Sequence, residues 1–353
     1  MTGDGLLLAE AVDRLHPDPF RNVSRDRFFA EAERVETTVD LMRLVALLGE
    51  RDGHTAIHPL DDHARPLHAY PIVPYEFEEG VFVVASEQPE LVGSELLAVN
   101  GIAVDQLMAA VTPLVARDND WTIRARRPAF CVTAEVLRGL GIADGPRITI
   151  RLGQREIELQ PVTAPEYRER LGSVYRLPHD REPWRIEPVE RAILVAYDVT
   201  RGETDEFARE IEAAAALTDR IVLDLRRNGG GNNQTYGPLL RALERLTAAG
   251  KRLAVLTSRV TFSAAMQLVV DLDRRTPAVF VGEPTGASPN HYGDAEPVEL
   301  PETGLTAKVA TISWETAGEN DERSTREPDV AVPLTARAYF AGEDPVLQAG
   351  LEV

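Results

Sequence analysis

Only one cysteine, Cys131, occurs in 353 residues. An intramolecular disulfide is therefore excluded, and the fold must rest on burial and hydrogen bonding. Lysine is almost as scarce. Lys251 and Lys308 are the only two, and arginine carries nearly all the positive charge. Lys and Arg together number 38 against 57 Asp and Glu, a formal net charge of -19. A nucleic acid or an anionic membrane would be repelled at long range by such a chain, so neither is expected as a partner. No apolar run is long enough to cross a bilayer. Residues 1–20, MTGDGLLLAEAVDRLHPDPF, contain a three-leucine run but neither a basic flank nor an extended apolar core, so no secretory signal is read there and a cytoplasmic location is expected.

What remains is ample for a folded protein. At 44% hydrophobic and 27% charged residues the chain can bury a sizeable core, and its length suits two or three domains. Residues 253–256 form a short apolar run that reads as a buried strand. A helical pattern opens at Ser263 and continues through Met266, Leu268, Val269 and Leu272. A second apolar run, 278–281, ends in Gly-Glu-Pro-Thr-Gly. A serine at a helix start lies where free backbone N–H groups stabilise developing negative charge, which makes Ser263 a candidate nucleophile. Serine is also a favoured N-cap, and the G-x-S-x-G elbow is absent because Thr261 and Ala265 replace its glycines.

Upstream, residues 220–231 read RIVLDLRRNGGG. The run 221–225 is apolar except for Asp224 and suits a central parallel strand. The glycines that follow allow positive φ and let backbone amides face a ligand. A phosphate loop would need Lys and Ser/Thr next, but Asn232, Asn233 and Gln234 stand there, which favours an oxyanion over a nucleotide.

Taken together, D-L-R-x-N-G-G-G, T-F-S-A-A-M-Q and V-G-E-P-T-G resemble the S41 peptidases, the tail-specific proteases and the tricorn core, over roughly residues 193–351. The resemblance implies a ClpP/crotonase-like α/β catalytic domain with Ser263 as nucleophile. It implies an oxyanion hole from the amides of Ala264 and of Gly229 or Gly230. The tail-specific branch uses a lysine base, whose position falls on Ser288 here, so a Ser–Lys dyad is not expected. Asp52-Gly53-His54-Thr55 is similar to the D-x-H-[ST] element of the tricorn-like branch, which implies His54 as general base. His54, His58, His63 and His68 lie close in sequence, but Pro59 and Pro66 break any helix that would align them, and no metal site is expected.

Residues 1–68 read as an N-terminal helical segment with the His54 loop. In residues 69–162, G-S-E-L-L-A-V-N-G resembles a PDZ segment, and this region is expected to be a PDZ-like β-rich insert, with an extra stretch at about 122–144. Residues 161–188, rich in proline and charge, read as a linker. Residues 163–353 are assigned to the catalytic domain. Near its end, E-P-D-V-A-V (327–332) is similar to the closing motif of S41 domains. The resemblance places an orienting carboxylate a few residues earlier, at Glu322, Glu319 or Asp321. The expected function is a serine peptidase acting on peptides or unfolded polypeptide without a cofactor, with homo-oligomerisation left open. Rival readings are an acyl-CoA-binding crotonase relative, a non-catalytic binding protein of the same fold, and a metal-dependent hydrolase.

Overall fold

A computed structural model describes residues 2–60, 67–172, 183–202 and 204–353 and is mixed α/β. The chain divides into two compact units, one of Met1–Val174 with His291–Trp314 and the other of Tyr175–Asn290 with Glu315–Val353. His63 lies outside the described residues.

The second unit is built on one six-stranded sheet. Its order is Val330–Ala331, Val279–Gly282, Arg252–Thr257, Arg220–Asp224, Ala192–Tyr197, Trp184–Val189, parallel except for the last pair. The sequence dictates this through two-sided burial. Along Ala192–Tyr197 every residue is buried. Because side chains alternate across a strand, Ile193, Val195 and Tyr197 join Ile221, Leu223, Leu253, Val255 and Phe280 on one face. Ala192, Leu194, Val222, Ala254, Leu256 and Val281 take the other. The first face is covered by helices Thr204–Ala215, Gly237–Ala248 and Ala264–Arg275 through residues such as Phe207, Leu243 and Leu268. The second is covered by Val346 and Leu351 of helix Pro345–Glu352. Gly350 permits that approach, since a Cβ there would lie 2.7 Å from Leu256 Cδ2.

The first unit opens with helices Thr2–Leu15, Arg25–Ala32 and Thr38–Ala46. The first stops just ahead of His16-Pro17, and the third starts on a Thr37/Asp40 capping box. Then come a hairpin, Ile72–Glu76 with Val81–Ser86, and a four-stranded antiparallel sheet ordered Ile102–Ala103, Leu96–Val99, Ile148–Leu152, Arg155–Leu159. Helices Asp120–Phe130 and Ala134–Gly139 occupy the extra stretch. Two more antiparallel pairs, His291–Gly293 with Ile312–Trp314 and Glu296–Leu300 with Leu305–Val309, return to this unit from late in the chain.

The expected linker at 161–188 is corrected. Val162–Thr163 pairs with His68–Ala69, helix Ala164–Leu171 follows, and Trp184–Val189 forms the sheet's edge strand; residues 173–182 lie outside the description. The missed signal is Thr163-Ala164-Pro165-Glu166. The Thr163 N–H donates to Glu166 Oε2 at 2.9 Å and the Glu166 N–H donates to Thr163 Oγ1 at 3.3 Å, so a capping box starts a helix where proline content had suggested none.

Leu223 is fully buried in the central strand. Leu223→Ala is expected to lower the unfolding free energy by about 2–5 kcal/mol in a denaturant titration. A loss under about 1 kcal/mol would contradict the packing described.

Candidate active site

Strand Arg252–Thr257 delivers the chain to Ser263, which precedes helix Ala264–Arg275. Ser263 has φ 53° and ψ -127°, and its side chain makes no capping hydrogen bond to that helix. A non-glycine residue in that region costs about 1–3 kcal/mol, so the neighbours must impose it. They do so at every step. Ser258 Oγ donates to Arg226 O at 2.6 Å, Thr261 Oγ1 to Leu225 O at 2.9 Å, and the Phe262 N–H to Asn228 O at 3.1 Å. Arg259, with no exposed side-chain surface, is paired with Glu283 of the Gly-Glu-Pro-Thr-Gly turn, its Nε 3.0 and 3.2 Å from the two carboxylate oxygens. The strained elbow thus forms without the glycines that usually signal it.

Asn228 organises the glycine loop. It is wholly buried, donates from Nδ2 to Tyr197 O at 2.8 Å, and accepts at Oδ1 from Gly230 N–H at 3.0 Å and Thr200 Oγ1 at 3.2 Å. Gly230 has φ 108°, and a Cβ built on it would fall 2.6 Å from Ser263 Cβ and 3.1 Å from the Ala264 nitrogen. Only glycine lets this peptide lie against the serine. Of the two glycines expected to serve the oxyanion hole, Gly230 has its amide donating to Asn228 Oδ1. Gly229 is the other alternative. Among the described residues the Gly229 and Ala264 amides have no hydrogen-bond acceptor. Ser288, which occupies the position of the tail-specific lysine, is buried with its hydroxyl donating to Ser324 O at 2.8 Å.

The acidic loop of the same unit borders an open cavity of about 500 Å³ lined by residues 317–323. Asn290 holds it, donating to Gly318 O at 2.8 Å and Asp321 O at 3.1 Å and accepting from Ala317 N–H at 3.0 Å. Arg323 grips the Asp321 carboxylate at 2.7–3.1 Å. Glu319 and Glu322 are exposed.

In the first unit, His54 is partly buried and stacks on His291, with ring centroids 5.6 Å apart and planes 10° apart. Burial, reinforced by His291, Arg126 and Lys308, holds its pKa well below the ordinary 6.5, against an opposing hydrogen bond to the Tyr292 backbone. The ring is therefore neutral at neutral pH, as a base requires. Its turn is tightly built: Asp52 Oδ1 accepts the Thr55 N–H at 2.9 Å, and buried His16 Nε2 lies 3.2 Å from Asp52 Oδ2. His68, another member of the histidine group, is engaged by Glu135 at 3.0 Å. His291 and Tyr292 were missed in the sequence because they lie far along the chain in a three-residue strand with no apolar periodicity.

No family profile matches the chain, and no curated protein matches it. Solved structures do. The chain has the mixed α/β fold seen in CPAF: mature CPAF complexed with lactacystin is 14% identical, with 99% of this chain and 96% of that chain covered and a TM-score of 0.66. A CPAF mutant with a serine replaced by alanine gives 14%, 99%, 98% and 0.69, and mature CPAF gives 14%, 96%, 94% and 0.63. The similarity is one of fold and extends over nearly the whole of both chains.

His54 is expected to titrate well below 6.5 when its ring signals are followed by NMR in histidine-labelled protein. Since the unfolded chain takes up this proton more readily, the residue should erode stability only as the pH falls below about 6.5. A midpoint at or above that value would contradict the burial and charge environment described.

Proposed function

We propose that this protein is an S41-type serine peptidase of the Ser–His branch, hydrolysing peptide bonds through an acyl-enzyme on Ser263. The observation that carries the reading is the Ser263 backbone at φ 53° and ψ -127°, held against a glycine peptide at a helix N-terminus. Strain of that kind persists where the surroundings enforce it, and a serine at a helix N-terminus against a glycine peptide suits attack on a carbonyl. In this reading His54 Nε2 or Nδ1 takes the Ser263 proton as Oγ attacks the peptide carbonyl. The Gly229 and Ala264 amides donate to the oxyanion, His54 returns the proton to the leaving amine, and water then hydrolyses the ester by the same route.

We assign the orientation of the imidazole to the Tyr292 backbone rather than to Glu322, Glu319 or Asp321. Tyr292 already bonds the ring in its own unit, whereas Asp321 is tied to Arg323. A lysine base has little support. Lys251 Nζ donates to Thr218 O at 2.6 Å, and Lys308 contributes to keeping His54 neutral. Residues 163–353 are read as the ClpP/crotonase-like domain and 69–162 as a PDZ-like module receiving an extended peptide substrate. The fold shared with CPAF supports the class without assigning a substrate.

A fluorophosphonate probe tests this directly. It should label Ser263 alone, Ser263→Ala should abolish labelling, and His54→Ala should slow it by about 10²–10⁴-fold. A folded wild-type protein that resists the probe is a binding protein of this fold; labelling of a different residue contradicts the assigned nucleophile.

A further inference from the structure

We propose that Asp118 and Arg126 are positioning residues for His54, clamping the two peptide groups of Gly53 so that the imidazole leaves the turn in one direction. The inference rests on the reading of His54 as the base and names what holds it. The Gly53 N–H donates to Asp118 Oδ1 at 2.6 Å, and the Gly53 carbonyl accepts from Arg126 Nη1 at 2.7 Å. That carbonyl belongs to the very peptide that joins Gly53 to His54. Asp118 is fully buried, and Arg126 also donates to Ala116 O at 3.1 Å. Backbone bonds extend the contact, from Arg51 N–H to Asp118 O at 3.0 Å and from Asp52 N–H to Arg117 O at 3.1 Å.

The clamp is itself rigid. Asn119 caps helix Asp120–Phe130 by accepting from Trp121 and Thr122 N–H at 2.8 and 3.0 Å, while Thr122 Oγ1 accepts from Asp118 N–H at 3.2 Å. Arg127, next to Arg126, fixes that helix to strand Ile72–Glu76 by two bonds to Glu76 at 2.7 and 2.6 Å. Residues 116–127 therefore bear on the turn that carries His54. A polar surface turn has no need of a buried carboxylate on one side of a glycine and a guanidinium on the other; a turn whose next residue must point within about 1 Å of its target does, because such a misplacement costs about 10²-fold.

The test uses the full chain with Arg126→Met, Arg126→Lys and Asp118→Ala. Two quantities are read against pH: the fluorophosphonate labelling rate and, without any probe, the His54 ring titration by NMR. The charges that face His54 are Arg126 and Lys308, with His291 stacked on the ring and Asp52 and Asp118 on the turn and its clamp. Arg126→Met is expected to lower the plateau labelling rate by about 10–10²-fold and to raise the His54 midpoint, because one repelling cation is gone. Arg126→Lys keeps the midpoint near wild type and recovers part of the rate. A merely structural role would lower the melting temperature and leave the plateau labelling rate of the folded fraction unchanged, and that result overturns the proposal. Should Arg126→Met fail to fold, Asp118→Ala carries the test, since it removes the acceptor of the Gly53 N–H and a wild-type plateau rate in folded Asp118→Ala contradicts the clamp. Wild-type labelling of His54→Ala would instead overturn the base assignment, a failure the NMR midpoint keeps separate.

Discussion

The second unit depends on a single backbone constraint: a serine held at positive φ at the mouth of a twelve-residue helix. No side chain of its own stabilises that conformation by capping. It is imposed by Asn228, which reads the glycine loop on one side and the Phe262 amide on the other, and by the buried Arg259–Glu283 pair behind the turn. A buried ion pair contributes little net stability when intact, but removing one partner costs about 3–5 kcal/mol. The pair is better understood as fixing the elbow than as strengthening the fold. The parallel sheet supplies the rigid floor, and the positive end of the helix supplies the field.

The first unit keeps an imidazole uncharged. Burial does most of it, and three neighbours of positive or potentially positive charge do the rest. The same surroundings make the turn expensive to distort. Backbone and side-chain bonds tie Thr55 to Asp52 and Ala310, and Ala56 to Lys308, on the C-terminal side of His54. An acidic protein with two lysines places one of them beside this ring, where its charge disfavours protonation.

Much of this was readable in the residues. The run 221–225, the glycines after Asn228, and the order of strand, serine and helix at 253–275 are local patterns whose physics is short-ranged, and the sheet follows from them. Three things were not. That Gly230 spends its amide on Asn228 depends on the loop's dihedral angles, which three consecutive glycines leave open. That Asp321 turns to Arg323 is a contact two residues away that a string of acidic residues conceals. That His291 and Tyr292 stand beside His54 is a long-range pairing through a strand too short to register as one. The helix at Ala164–Leu171 belongs to a different class, since its capping box was present in the sequence and was outweighed by proline content.

The most direct measurement is a crystal structure of the protein after reaction with the fluorophosphonate. The account predicts a phosphonyl group on Ser263 Oγ with one oxygen about 2.7–3.1 Å from both the Gly229 and Ala264 nitrogens, and the Gly230 amide still on Asn228. An adduct whose oxygen faces solvent, or a Gly230 amide turned to receive it, would contradict the site as described.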